Sequence, residues 1–165
     1  MNRIIYIMLA SLFVSSCGIY SFSGTSIEPD VESIMVAKID NKAMRINPTL
    51  SNLLTEALKD KYKKLTKLSV EPDDGDLLVE GEITTYETTS LAVTSNEVAS
   101  LNRLTITVKI RFTNKKHPKE DFEQSFAEFE DYPSTSTIDQ VEARLVDAII
   151  EKMVESIFNA TVANW

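Results

Sequence analysis

Residues 101–114 read LNRLTITVKIRFTN, and no other stretch of the chain restricts its fold as much. Leu104, Ile106, Val108, Ile110 and Phe112 alternate with Thr105, Thr107, Lys109, Arg111 and Thr113. Side chains two apart on a strand share a face, and β-branched and aromatic residues suit a pleated surface. The run is therefore a strand with one apolar and one polar face. Its apolar face needs a second layer from elsewhere in the chain.

Two helical patterns can supply that layer. After Asn47-Pro48, a start that tolerates proline in the first turn, Leu50, Leu53, Leu54, Ala57, Leu58, Tyr62 and Leu65 fall on one stripe of a 3.6-residue period. A capping box at Ser136-Thr137-Ile138-Asp139 opens a longer helix with Ile138, Val141, Leu145, Ile149, Met153 and Ile157 in phase.

Between them lie further strand patterns. VESIMVAKI (31–39) places Ile34 and Val36 on one side, KLSVEP (67–72) is a short strand, and EPDDGDL (71–77) is an acidic hairpin turn by composition. Residues 77–95 alternate at Leu77, Val79 and Ile83. Residues 121–132, DFEQSFAEFEDY, put Phe122, Gln124 and Phe126 in phase and Phe129 out of it, which suggests a bulge or an end of pairing near Ala127.

The order is β-α-β-β-β-β-α, with a parallel first crossover and a later antiparallel meander. It predicts an α/β (α+β) two-layer sandwich: one mixed sheet of about four to five strands with two helices packed on one face. The polar sheet face is left for solvent or a partner.

The amino terminus carries a separate message. Arg3, an apolar run from Ile4 to Val14 broken by Ser11, and then Ser15 and Ser16 have the three parts of a secretory signal, expected over residues 1–16. Val14-Ser15-Ser16-Cys17 resembles the bacterial lipobox, which makes Cys17 the lipid attachment site. Several acyl chains on one residue anchor a protein stably without a membrane-spanning helix. Gly18 follows, and the next acidic residue is Glu28, so the expected place is the periplasmic side of an outer membrane. Residues 17–29 then form an acylated tether and residues 30–165 a single domain. With Cys17 the only cysteine, no disulfide can form within the chain.

Charge and residue inventory narrow the function. The formal net charge of −8 leaves no basic stripe for phosphates, so nucleic acid is not an expected partner. His117, the only histidine, sits in a lysine-rich turn, which leaves no second imidazole for a catalytic pair or a metal cluster. Asp73, Asp74 and Asp76 lack the later glutamate of a calcium loop. No enzyme activity, metal or cofactor is expected.

One basic cluster stands out in the acidic chain: Arg103, Lys109, Arg111, Lys115, Lys116 and Lys119 lie along the clearest strand and its turn. It is either a solvated sheet face with edge lysines or a site for an anionic ligand, such as a phosphorylated glycolipid or the acidic lining of a partner. Spacing alone does not choose.

Several stretches taken jointly resemble the LptE family of lipopolysaccharide-assembly lipoproteins, in the form found in Bacteroidetes. They are CGIYSFSGTSI, NPTLSNLLTEALKDKY, GEITTY, LNRLTITVKIRFTN, FEQSF and the closing NW. The resemblance implies a two-layer α/β lipoprotein that plugs the LptD β-barrel, helps it assemble and takes part in lipopolysaccharide transport to the outer leaflet. It carries over Cys17 as acylation site, and makes Lys109, Arg111, Lys115 and Lys116 candidates for lipopolysaccharide contact. The alternatives are a free-standing periplasmic lipoprotein that binds glycolipid or another anionic ligand, and, behind it, a hydrolase built on His117 or the Asp73–Asp76 carboxylates.

Overall fold

The computed structural model describes residues 27–45, 47–91 and 100–163. The expected targeting segment 1–16, Cys17, most of the tether 17–29, the end of the 77–95 pattern and the closing Asn164-Trp165 lie outside the described residues.

The elements run β1 (Ser33–Val36), β2 (Asp40–Asn41), α1 (Leu50–Leu65), β3 (Ser69–Glu71), β4 (Leu77–Ser90), β5 (Leu101–Asn114), a 3₁₀ turn (Pro118–Glu120), β6 (Phe122–Pro133), α2 (Ile138–Phe158) and a π-helical end (Asn159–Ala163). One mixed sheet has the order β3-β1-β4-β5-β6, and β2 pairs with β4. The two-residue β2 raises the strand number to six, above the four to five expected.

Both helices bury their apolar stripes on one sheet face, where β5 contributes Leu104, Ile106, Val108, Ile110 and Phe112. Tyr62 of α1 and Phe158 of α2 meet at 5.5 Å between ring centroids, and the Tyr62 hydroxyl lies 2.7 Å from Thr161 Oγ1 in the core. The two layers are those the alternation demanded.

The first crossover is parallel, with Ile34 opposite Val70, and β4, β5 and β6 form an antiparallel meander. The acidic segment after β3 is not a hairpin turn, however. β4 also runs parallel to β1, on its other side, with Ile34 opposite Leu77. Residues 72–76 therefore cross the β1 backbone. A Cβ on Gly75 would lie 2.7 Å from Met35 N and 2.9 Å from the Ile34 carbonyl carbon, so only glycine fits the crossing point.

Three local expectations are corrected. The register of β6 on β5 runs unbroken from Phe122 opposite Phe112 to Pro133 opposite Leu101, with no bulge near Ala127. The irregularity lies in β4, between Ile83 and Thr85, and it lets Ile83 and Tyr86 both point to the core. On α1, Leu53 and Leu65 are exposed, and Ser51 and Thr55 are buried in their place. Ser51 Oγ donates to Ile39 O (2.5 Å) and Thr55 Oγ1 accepts from Ile39 N (3.1 Å). These hydroxyls satisfy the backbone where the chain leaves β1, which is what allows polar residues on the buried face. The α2 cap is Thr137 with Gln140, one residue on from the expected box.

Candidate functional site

Five of the six predicted basic residues sit on the polar sheet face or at its end, and each of these five meets a carboxylate. The register explains how. Lys109 and Arg111 lie opposite Glu82 and Glu80 on β4, and opposite Ser125 and Glu123 on β6. Glu123 accepts from Lys109 Nζ at 2.6 Å and from Arg111 at 2.9 Å, and both cations hold its carboxyl below the usual carboxylate range, Lys109 first.

Asp40, Glu80, Glu82, Glu123, Lys109 and Arg111 line a shallow cleft of about 260 Å³ floored by Gly81. Gly81 is glycine because a Cβ there would approach Lys109 O to 2.5 Å. Carboxylates outnumber cations in this cleft.

At the other end of β5, Arg103 forks onto Asp131 through Nε (2.7 Å) and Nη2 (3.0 Å). The paired geometry lowers the Asp131 pKa and raises that of Arg103. The same guanidinium lies 3.6 Å from the centroid of Phe129, whose ring stands on the polar face and is 43% exposed. Phe129 is thus a cation–π partner.

Lys115 pairs with Asp74 and Lys116 with Asp76 (3.5 Å), so both close onto the crossing segment. Lys119 is exposed on the 3₁₀ turn, with no ion pair among the described residues. The cluster is therefore divided between two strand ends and a turn. Its partners sit on neighbouring strands, and cross-strand charge pairing needs a register that a single sequence does not state.

The remaining candidates have structural partners. Asp76 Oδ2 accepts from Glu32 N (2.9 Å), Ser33 N (3.2 Å) and Ser33 Oγ (3.2 Å), which depresses its pKa, the Glu32 amide contributing most. His117 Nε2 lies 3.0 Å from Asp30 Oδ1, and that contact raises the imidazole pKa and lowers that of Asp30. So His117 is more than a solvated turn residue: it ties residue 30 to the β5–β6 turn. Among the described residues, no group of three His, Cys, Asp or Glu is placed to hold a metal ion, and no helix is long and apolar enough to cross a membrane.

A larger cleft of about 630 Å³ lies between Ile27–Glu32 and the end of α1 at Lys64–Leu68. Sequence reasoning did not single it out, because its lining mixes charged and apolar residues without a pattern.

Two helices on one face of a mixed sheet, with an ion-paired opposite face, define a class of small two-layer α+β domains. A minor lipoprotein from Acinetobacter baumannii shares this fold at 12% identity and a TM-score of 0.51, over 77% of this chain and 89% of that one. A Xanthomonas campestris protein does so at 13% identity and 0.53, over 81% and 88%. A hypothetical protein from Chlamydia trachomatis does so at 9% identity and 0.51, over 79% and 97%. No curated protein matches the chain significantly. The family is given by sequence: the model of the LptE family, described as lipopolysaccharide-assembly, matches residues 31–161, and the chain belongs to that family.

Proposed function

We propose that this protein is an outer-membrane lipoprotein, acylated at Cys17, that plugs the LptD β-barrel, helps it assemble and takes part in moving lipopolysaccharide to the outer leaflet. The observation that carries the reading is the family match over residues 31–161, nearly the whole described domain. The fold supports it. The helices spend most of their apolar stripes on the sheet, and the outward surfaces are polar apart from single exposed residues such as Leu53, Leu65 and Phe129, as suits the polar lumen of a large barrel. A tether ending in acyl chains keeps the domain near the bilayer and raises its effective concentration for a membrane partner.

The geometry favours protein contact over free anion binding at the Lys109–Arg111 face. There Glu80, Glu82, Glu123 and Asp40 surround the two cations, and a phosphate would have to displace Glu123 in a region where negative charge prevails. A free-standing glycolipid binder has less support for that reason.

The test is recovery of the acylated protein from detergent-solubilised outer membrane, followed by a high-salt wash. A large β-barrel retained at near-equal amount is the expected result. Clean membrane localisation with no barrel retained overturns the plug reading.

A further inference from the structure

The cleft of about 630 Å³ beside the end of α1 is also where the described chain begins. Ile27, the first described residue, is itself part of the wall, together with the buried Val31 and Leu68. Leu65 completes the apolar lining. It belongs to the α1 stripe by sequence, yet it is 49% exposed.

The rim carries both signs of charge, Glu28 and Glu32 from one segment and Lys64 and Lys67 from the other. A part-apolar lining with balanced charges selects neither an anion nor a cation. It suits an uncharged segment that brings apolar side chains and hydroxyls together.

Residues 18–26, GIYSFSGTS, have that composition and arrive at that place. They hold no charge in a chain that is 25% charged. In an extended stretch Tyr20 and Phe22 share one face, and Ser21 and Ser23 take the other. Four residues separate Phe22 from Ile27, and Gly24 among them permits a tight reversal. The link extends to about 17 Å at most, ample for a return into a cleft whose wall it starts from. So short a link keeps the aromatic pair at an effective concentration of about millimolar, an advantage that a separate molecule lacks.

We propose that residues 18–26 fold back into this cleft, with Phe22 packed against Leu65 and Leu68 and Tyr20 following on the same face. The inference rests on the reading of Cys17 as the acylated first residue of the mature protein. Docked through Tyr20, the segment leaves three residue steps between the acyl anchor and the cleft, about 10 Å, against about 35 Å for the ten steps from Cys17 to Ile27. The end of the domain that holds Ile27, the end of α1 and, through the His117–Asp30 contact, the β5–β6 turn then faces the bilayer in one orientation.

Two other arrangements compete. The bilayer interface also attracts aromatic side chains, so it is a rival host for Tyr20 and Phe22. Trp165 is a rival occupant, because it follows closely on Val162, which lines a small void with Ile27.

The experiment places the photoreactive p-benzoylphenylalanine at position 22, and in a parallel chain at position 23, of the full acylated protein in native outer membranes. Irradiation is followed by mass spectrometry of the joined peptides. The expected result is an adduct of position 22 with residues 64–68, and about tenfold less from position 23, which the alternation turns away. Equal yields from both positions mean that the tether passes the cleft without docking, and overturn the proposal. Adducts of position 22 with lipid, with the peptide ending at Trp165 or with another protein overturn it too.

Leu65→Asp supplies an independent check at an exposed position that the fold tolerates. It should cut the adduct about tenfold by removing an apolar wall, and an unchanged yield counts against the site. The mass of the amino-terminal peptide reports the acylation of Cys17, and barrel recovery reports the plug. Failure of either reading is thereby told apart from failure of the docking.

Discussion

The inner and outer faces of β5 are made by alternate residues of one strand, yet they are held by different physics. Inward, Leu104, Ile106, Val108, Ile110 and Phe112 are at most 1% exposed and belong to the apolar core beneath the helices. Outward, Arg103, Lys109 and Arg111 hold carboxylates on β6, with side chains between 31% and 65% exposed. Burial of apolar area is not weakened by ionic screening, whereas half-exposed ion pairs are. The lesson is that the strand's stability resides on one side and its adaptability on the other.

Variants can break that contrast, beginning with the packed side. Leu58→Ala, at 0% exposure under the sheet, is expected to cost about 2–5 kcal/mol in chemical denaturation, with the same loss at low and high salt. Gly81→Val lies at the boundary, because its side chain would meet the Lys109 carbonyl of the polar cleft and Ile110 Cδ1 of the core. The expected loss is about 1–3 kcal/mol, read as a lowered melting midpoint. Tyr62→Phe removes one buried hydroxyl bond and should cost about 0.5–1.5 kcal/mol.

On the polar side, Arg103→Ala loses the Asp131 fork and the Phe129 stacking together. It should shift the denaturation midpoint less than any inner variant, and the shift should shrink in high salt.

The smallest effects are pH-dependent and opposite in sign. Asp76 has a folded pKa below its unfolded 3.8, so its contribution is present above that value and is lost as pH falls through the folded pKa. His117 has a folded pKa above its unfolded 6.5, so its contribution is full below 6.5 and is lost as pH rises through the raised value. Asp76→Asn should flatten the acid branch of a stability profile, and His117→Ala the branch above 6.5. Unchanged branches would mean that these contacts do not hold in solution.

The layers were legible in the sequence because burial leaves a period. Each inward residue of β5 was read correctly from alternation alone, and so were Ile34, Val36 and the stripe of α2. What escaped the reading depended on partners distant in the chain. Ser51 and Thr55 look like solvent residues until Ile39 presents its backbone to them. Phe129 broke the phase of β6 because a guanidinium, not the core, receives its ring. The threonine run ITTY hid the bulge, since Thr84 and Thr85 look alike in either register.

The basic cluster was found, but its carboxylates were not, because Glu123 and Asp131 reach it only through the β5–β6 register. Composition identified residues 71–77 as irregular without saying where the next strand would dock.

The passage of residues 72–76 over β1 also orders events in time. β1 is held on one side by Ser69–Glu71 and on the other by Leu77–Val79, and the link between them passes above its own backbone. Although β1 is the first of the described strands to leave a ribosome or an export channel, it therefore waits for segments more than thirty residues behind it. Contacts of such long separation slow folding. A chain cut short before Leu77 would leave β1 half-paired, so the amino-terminal third cannot become native ahead of the rest.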